Sequence, residues 1–172
     1  MVETSSSSSS NSGSKAHLAH RLEREGERCL AFFSALPSSS WEAEIYTEGA
    51  RWSVRQILAH FVVAERALRT LVERILAGGN GASEDFDIDR FNEAQVEKLE
   101  GETPASLLSA FQSERKRTLA LLTSLDPSQI TLKGRHPYFG MMTIQQLLKW
   151  AYQHAQVHLR DIRHTLPGDK LG

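Results

Sequence analysis

A single cysteine, Cys29, stands among 172 residues, which excludes an internal disulfide framework and fits a reducing cytoplasm. No sign of charge predominates: 20 Lys and Arg face 21 Asp and Glu, for a formal net charge of -1 at pH 7. With cations interspersed among acids there is no basic stripe, and neither nucleic acid nor an anionic membrane is expected as a partner. No apolar run approaches the roughly 20 residues that a membrane span requires. The first 14 residues are a serine tract with neither a basic nor an apolar segment. They are expected to form a disordered tail and not a secretory signal. Strand-type alternation is sustained nowhere, and no repeat recurs at a solenoid period.

What is present is helical periodicity. An apolar share of 40% and a charged share of 24% are those of a soluble globular protein, and residues 15–172 suit one domain. Leu18, Leu22, Cys29, Phe33 and Leu36 share one side of a helix predicted over 15–36. Gly26 weakens that stripe, and Cys29 on it reads as packing. Pro37 and the following serines end the helix. Ser53-Val54-Arg55-Gln56 has capping-box spacing and opens a second helix with a wide 3.6-residue stripe from Val54 to Ile75. Gly78-Gly79-Asn80-Gly81 ends it. A short helix is expected over 89–99. Thr103-Pro104 sets a cap and a first-turn proline for a third long helix, which closes near Asp126-Pro127. Residues 130–142 read as irregular. Thr143-Ile144-Gln145-Gln146 then repeats the capping box and opens a last helix to about Leu166. Four long amphipathic helices and one short one predict an all-α helix bundle, a fold whose sites lie between facing helices.

The chemistry concentrates in three histidines. His154 and His158 stand one turn apart on the last helix, at the edge of its apolar stripe, about 40° apart around the axis and about 6 Å along it. His60 holds a similar place beside Ile57 and Ala64 on the second helix. Neutral imidazoles so placed suit zinc, nickel, copper or iron, and three ligands leave a position for water or substrate. A set of buried, hydrogen-bonded structural histidines answers the same pattern, since chance readily supplies one such pair among seven histidines. Ala155 stands where a zincin-type protease carries glutamate.

Around the triad, Asp161 shares the face of His154 and His158 and is the candidate for proton transfer, for accepting an imidazole N–H, or for a salt bridge with Arg160 or Arg163. Gln56 could orient His60, although capping explains it better. Glu65 lies about 140° round the helix from His60 and is expected to pair with Arg69 at the surface. His136 and Tyr138 are candidates for lining a site from a loop. Trp41 and Trp52 read as packing anchors, and Trp150 as packing or as a pocket wall. His17 and His20 form a rival pair on a solvated face. His164 suits a helix C-terminus.

Trp52-Ser53-Val54-Arg55-Gln56-Ile57-Leu58-Ala59-His60 resembles the entry motif of the DinB/YfiT-like metalloenzyme superfamily. His154-x-x-x-His158 resembles its second signature, and the likeness runs from about Lys15 to Leu166. The resemblance implies a four-helix bundle of up-down-down-up topology, often a homodimer, with His60, His154 and His158 as ligands of a divalent metal, zinc or nickel. It also implies a metal-dependent enzyme acting on a small-molecule substrate, and the lone Cys29 places it in the cytoplasm. Such an enzyme activates water or a low-molecular-weight thiol, as a thiol-dependent S-transferase or isomerase or as a hydrolase. The alternative is a non-catalytic, metal- or ligand-binding stress-response bundle.

Overall fold

Hydroxyl side chains open three of the long helices of the computed structural model, which describes residues 5–166, with side chains from residue 14 onward. Helix α1 spans Ser5–Ser34, α2 Val54–Leu76, the short α3 Ile88–Glu97, α4 Pro104–Ser124 and α5 Ile144–Thr165. Ser53 accepts from the Gln56 amide while the Gln56 side chain accepts from Ser53, and Thr143 and Gln146 repeat the exchange at α5. Thr103 caps α4, with Pro104 in its first turn. Each device satisfies amides that have no partner within the helix. Residues 1–4 of the expected tail lie outside the described residues, as do the side chains of 5–13; the described helix begins at Ser5, ahead of the expected residue 15.

Each long helix packs on two others. Lys15 reaches the Thr123 carbonyl at 2.7 Å and Arg115 reaches that of Leu22 at 2.9 Å, so α1 and α4 run antiparallel. Arg21 lies over Tyr152 and Arg163 over Phe32, so α1 and α5 run parallel. Contacts from Arg55 to the Glu100 carbonyl and from Glu65 to Arg115 make α2 and α4 parallel, while the start of α2 packs with the end of α5 and its end with the start of α5, which makes those two antiparallel. The order is up-down-down-up. Two apolar layers fill the bundle, one around Phe33, Phe61, Phe111 and Ile162, the other around Leu22, Val72, Leu122 and Leu148. Each such side chain contributes about 1.5–3 kcal/mol by leaving water. Among the described residues no helix is long and apolar enough to cross a membrane.

Two expectations fail, each for a physical reason. Residues 130–142 are not irregular throughout: strand β1, Lys133–His136, pairs antiparallel with β2, Gly140–Thr143. Strands of four residues are too short to register a period of two. Gly134 permits this hairpin, because a Cβ there would overlap the Ile75 side chain. The Arg135 amide donates to Asn80 at 2.8 Å and its carbonyl accepts from Ala82 at 3.0 Å, which pins the hairpin to the α2–α3 loop.

Glu65, expected at the surface with Arg69, is 4% exposed. It pairs with Arg115 at 2.6 Å and accepts from the Thr118 hydroxyl at 2.7 Å. Helix α2 is covered on two sides, so a position 140° from the histidine face still lies inside, against α4. Arg69 pairs instead with Glu114, at 2.6 Å, and approaches Glu73 at 3.8 Å.

Gly26 belongs to this same cluster. A Cβ there would lie 3.1 Å from Cγ of Arg115, so the missing side chain makes room for the arginine stem. At an exposed helical site Gly→Ala gains about 1 kcal/mol. Here G26A is expected to bring no gain in urea unfolding; a gain of that full size would show that the Arg115 stem yields freely.

Candidate metal centre

His60, near the N-terminal end of α2, faces the C-terminal half of α5, and the antiparallel pairing brings its imidazole to those of His154 and His158. Nε2 of His154 lies 3.1 Å from Nε2 of His60 and 2.9 Å from Nε2 of His158. The donor atoms of all three lie within 4.8 Å of one another. Two imidazole nitrogens on one tetrahedral zinc, with bonds of about 2.0–2.1 Å, stand about 3.3 Å apart, so the spacing fits a shared ion. Trp52 packs on His60 with ring centres 4.6 Å apart, and Trp150 packs on His154 at 5.6 Å.

All three rings are held neutral. Burial first, then the proximity of His154 and His158, drives the His60 pKa well below its ordinary range. Burial, then His158 and His136, pushes His154 down to about 3. Burial lowers His158 to about 4, with Asp161 working in the opposite direction. Neutral imidazole is the form that binds metal. Because these folded pKa values lie below the unfolded value of about 6.5, the unfolded chain binds the extra protons. The stability the neutral rings contribute is present above pH ~6.5 and is lost as pH falls towards 4. Chelator-treated protein is therefore expected to show a falling urea midpoint from pH 6.5 downward; a flat profile between 6.5 and 5 would contradict the burial of the triad.

A second layer was not anticipated. The Tyr46 hydroxyl lies 2.6 Å from Nδ1 of His158 and donates to Asp161 at 2.9 Å. An ionised carboxylate only accepts, so the single tyrosine proton goes to Asp161. The tyrosine oxygen then accepts from Nδ1–H of His158, which leaves the Nε2 lone pair of that ring aimed into the triad. With this tautomer fixed, a proton on Nε2 of His154 can point at only one of its two close neighbours. Hydrogen bonding therefore cannot satisfy both short contacts, whereas a cation takes all three lone pairs. Nδ1 of His60, buried, has no hydrogen-bond partner among the described residues.

Nothing in the periodicity marks Tyr46. It lies in the segment between α1 and α2, which folds back through Ile45 N–H to Trp52 O at 2.9 Å and Val54 N–H to Ala43 O at 3.0 Å. The tyrosine thereby arrives beside the motif that begins α2. Asp161 also lies 3.4 Å from Arg160, a weak surface contact.

The remaining candidates separate clearly. Gln56 is spent on its capping box. His17, His20 and His164 are exposed and away from the triad. Trp41 packs on Phe33, and Cys29 is fully buried, its thiol pKa raised by that burial. His136 and Tyr138 line a cavity of about 680 Å³ that reaches His60 and His154. Nδ1 of His136 accepts from the amides of Tyr138 and Phe139, at 3.1 and 3.3 Å, which shapes the hairpin tip. Phe139 packs against Trp150 with ring centres 4.7 Å apart.

Fold and site together define a four-helix bundle with a histidine triad between antiparallel helices. A family model described as the DinB superfamily matches residues 21–162, and the chain belongs to that superfamily. Solved structures share the fold at low identity. YfiT from Bacillus subtilis, described as a probable metal-dependent hydrolase with an unusual four-helix bundle topology, is 19% identical, with 88% of this chain and 85% of that one covered and a TM-score of 0.73. A protein from Escherichia coli UTI89 is 10% identical at a TM-score of 0.73, over 92% of this chain and 95% of that one. The colibactin self-resistance protein ClbS, solved in complex with double-stranded DNA, is 12% identical at a TM-score of 0.67, over 89% and 97%. A search of curated proteins finds no match.

ClbS corrects one expectation. A near-neutral net charge predicts no nucleic-acid partner, yet a protein of this fold is found on duplex DNA. Net charge sums over the whole surface, while phosphate contact needs only local cations and backbone donors. The balance of charge therefore excludes no nucleic-acid partner here.

Proposed function

We propose that His60, His154 and His158 hold a divalent transition metal, zinc or nickel, and that the protein is a metal-dependent enzyme activating water or a low-molecular-weight thiol. The observation that carries this reading is the convergence of three neutral Nε2 donors beside an open cavity. The cavity also favours catalysis over a purely structural or storage role, since a substrate has room to approach the triad. A divalent ion so held would supply Lewis acidity, which brings the pKa of a coordinating water towards about 7 and holds a coordinating thiol as thiolate. YfiT's description as a probable metal-dependent hydrolase supports the hydrolytic branch. The cytoplasm, rich in reduced thiols, is the compartment this reading assigns.

In this proposal the chain's own residues divide the work. Tyr46 accepts from His158 and fixes its tautomer, and Asp161 holds the tyrosine proton in place. Asp161 is the group we assign to proton transfer, with the Tyr46 hydroxyl as its link to the triad. Trp52 and Trp150 keep solvent off the imidazole faces. Elemental analysis of protein never exposed to chelator, followed by turnover assays with bacillithiol, mycothiol, glutathione and simple esters, tests the reading. Less than about a tenth of an equivalent of transition metal would reject it. Y46F is expected to weaken metal affinity about 10- to 100-fold in a chelator competition, as loss of an orienting partner does elsewhere. Unchanged affinity would remove Tyr46 from the centre.

A further inference from the structure

We infer that the cavity beside the triad is the subsite for a neutral small molecule with an aromatic body, seated against Phe139 and Trp150 with its reacting end at His60 and His154. The inference rests on the metal-centre proposal for the word "reacting" and on the cavity itself for the rest. At about 680 Å³ the cavity falls in the range of small-molecule sites, about 300–1,000 Å³. Its wall is an unbroken aromatic run from the hairpin to the triad: Phe139 on Trp150 at 4.7 Å, and Trp150 on His154 at 5.6 Å. Phe61 lines the same cavity from α2. Flat faces and edges at these separations accept a further ring by offset or edge-to-face packing.

Charge decides the class of ligand. The charged groups set deepest in the lining are Glu65 and Arg115, which neutralise one another at 2.6 Å with side chains 4% and 5% exposed. Arg66, about half exposed, shares the Glu114 carboxylate with Arg69 and Arg117 and stands towards the rim. Arg74, Asp89 and Lys98 are exposed and stand at the rim. At the depth of the triad a carboxylate or phosphate would lose its water and meet only an arginine whose charge Glu65 already balances, a costly transfer, so the excess of cations acts at the rim. Asn92 and Gln95 of α3 offer uncharged hydrogen-bonding groups instead. A thiol bearing carboxylates is therefore a poor occupant, and the cavity suits the molecule on which the activated water or thiol acts.

Two probes of one ring system test this: neutral N-phenyl-1-naphthylamine and anionic 1-anilinonaphthalene-8-sulfonate, titrated by fluorescence into zinc-loaded and chelator-treated full-length protein. The neutral probe is expected to bind at least about tenfold more tightly than the anion in both forms. A64F and A151F, which fill the cavity from α2 and α5, are each expected to weaken the neutral probe about tenfold at unchanged helicity and metal content. Q95R, which adds a cation to the α3 wall, is expected to narrow or reverse the preference. Equal or tighter binding of the anion to the unmodified protein overturns the inference, as does neutral-probe affinity that ignores both filling variants in their folded state. Binding of the neutral probe to protein that takes up neither zinc nor nickel would sink the metal proposal while leaving the subsite standing.

Discussion

Replacing His154 by alanine is expected to strip the protein of transition metal and to leave its helical signal in place. His154 is the shared vertex of the triad, with close nitrogens on both sides at 3.1 and 2.9 Å. Without it two donors remain, and one-equivalent loading is expected to fall below about a tenth. The fold survives because the ring borders the cavity and is only partly buried, so its removal enlarges an existing space and opens no new void in either apolar layer. The cost to stability is expected at about 1 kcal/mol. Atomic absorption on the purified variant, alongside far-ultraviolet circular dichroism, reads both quantities. Unchanged metal content in a folded variant would rule out the ligand assignment.

Arg115→Ala is expected to be the most damaging single substitution to the bundle itself, at about 3–5 kcal/mol. It leaves the Glu65 carboxylate buried against α4 with the Thr118 hydroxyl but no cation, and it removes the donor to the Leu22 carbonyl. Domains of this kind have about 5–15 kcal/mol in hand, so the variant stands near the edge of folding. The double variant E65L/R115M removes both charges and is expected to recover most of the loss, because packed apolar groups replace a buried pair without desolvation cost. Urea unfolding of the two variants separates these cases. A loss below about 1 kcal/mol in R115A would mean that water reaches Glu65 and the pair is not a buried one.

Much of this arrangement could be read from the chain before its structure. Capping boxes at Ser53 and Thr143 fixed helix starts because a hydroxyl acceptor and a glutamine three residues on form one local unit. His60, His154 and His158 were legible because helical spacing places each beside an apolar stripe. Periodicity reports a face, however, and not what covers it. Glu65 was misplaced for that reason: its angle from His60 was sound, but α2 is buried against α4 as well as α5. Tyr46 was invisible because its segment has no period, and its role depends on a fold-back held by backbone hydrogen bonds. The hairpin was missed because its strands are short and one of them rests on Gly134, a residue that ordinarily argues against a strand.

The parallel course of α2 and α4 has a consequence for how this protein can change. Parallel neighbours cannot be joined by a tight turn, so the chain must travel back across the bundle over residues 77–103, and α3 lies on that return path. The return path supplies Phe86, Phe91, Asn92 and Gln95 to the cavity, while all three histidines sit on α2 and α5. One wall of the cavity and the three histidines are thus carried by separable stretches of chain, while Phe61 and Trp150 share the histidine-bearing helices. Exchanging residues 77–103 for the equivalent stretch of another DinB superfamily member would alter which molecules fit while leaving the three imidazoles untouched. The crossover is a natural cassette for retargeting, and a graft library confined to it is the economical way to search for new substrates.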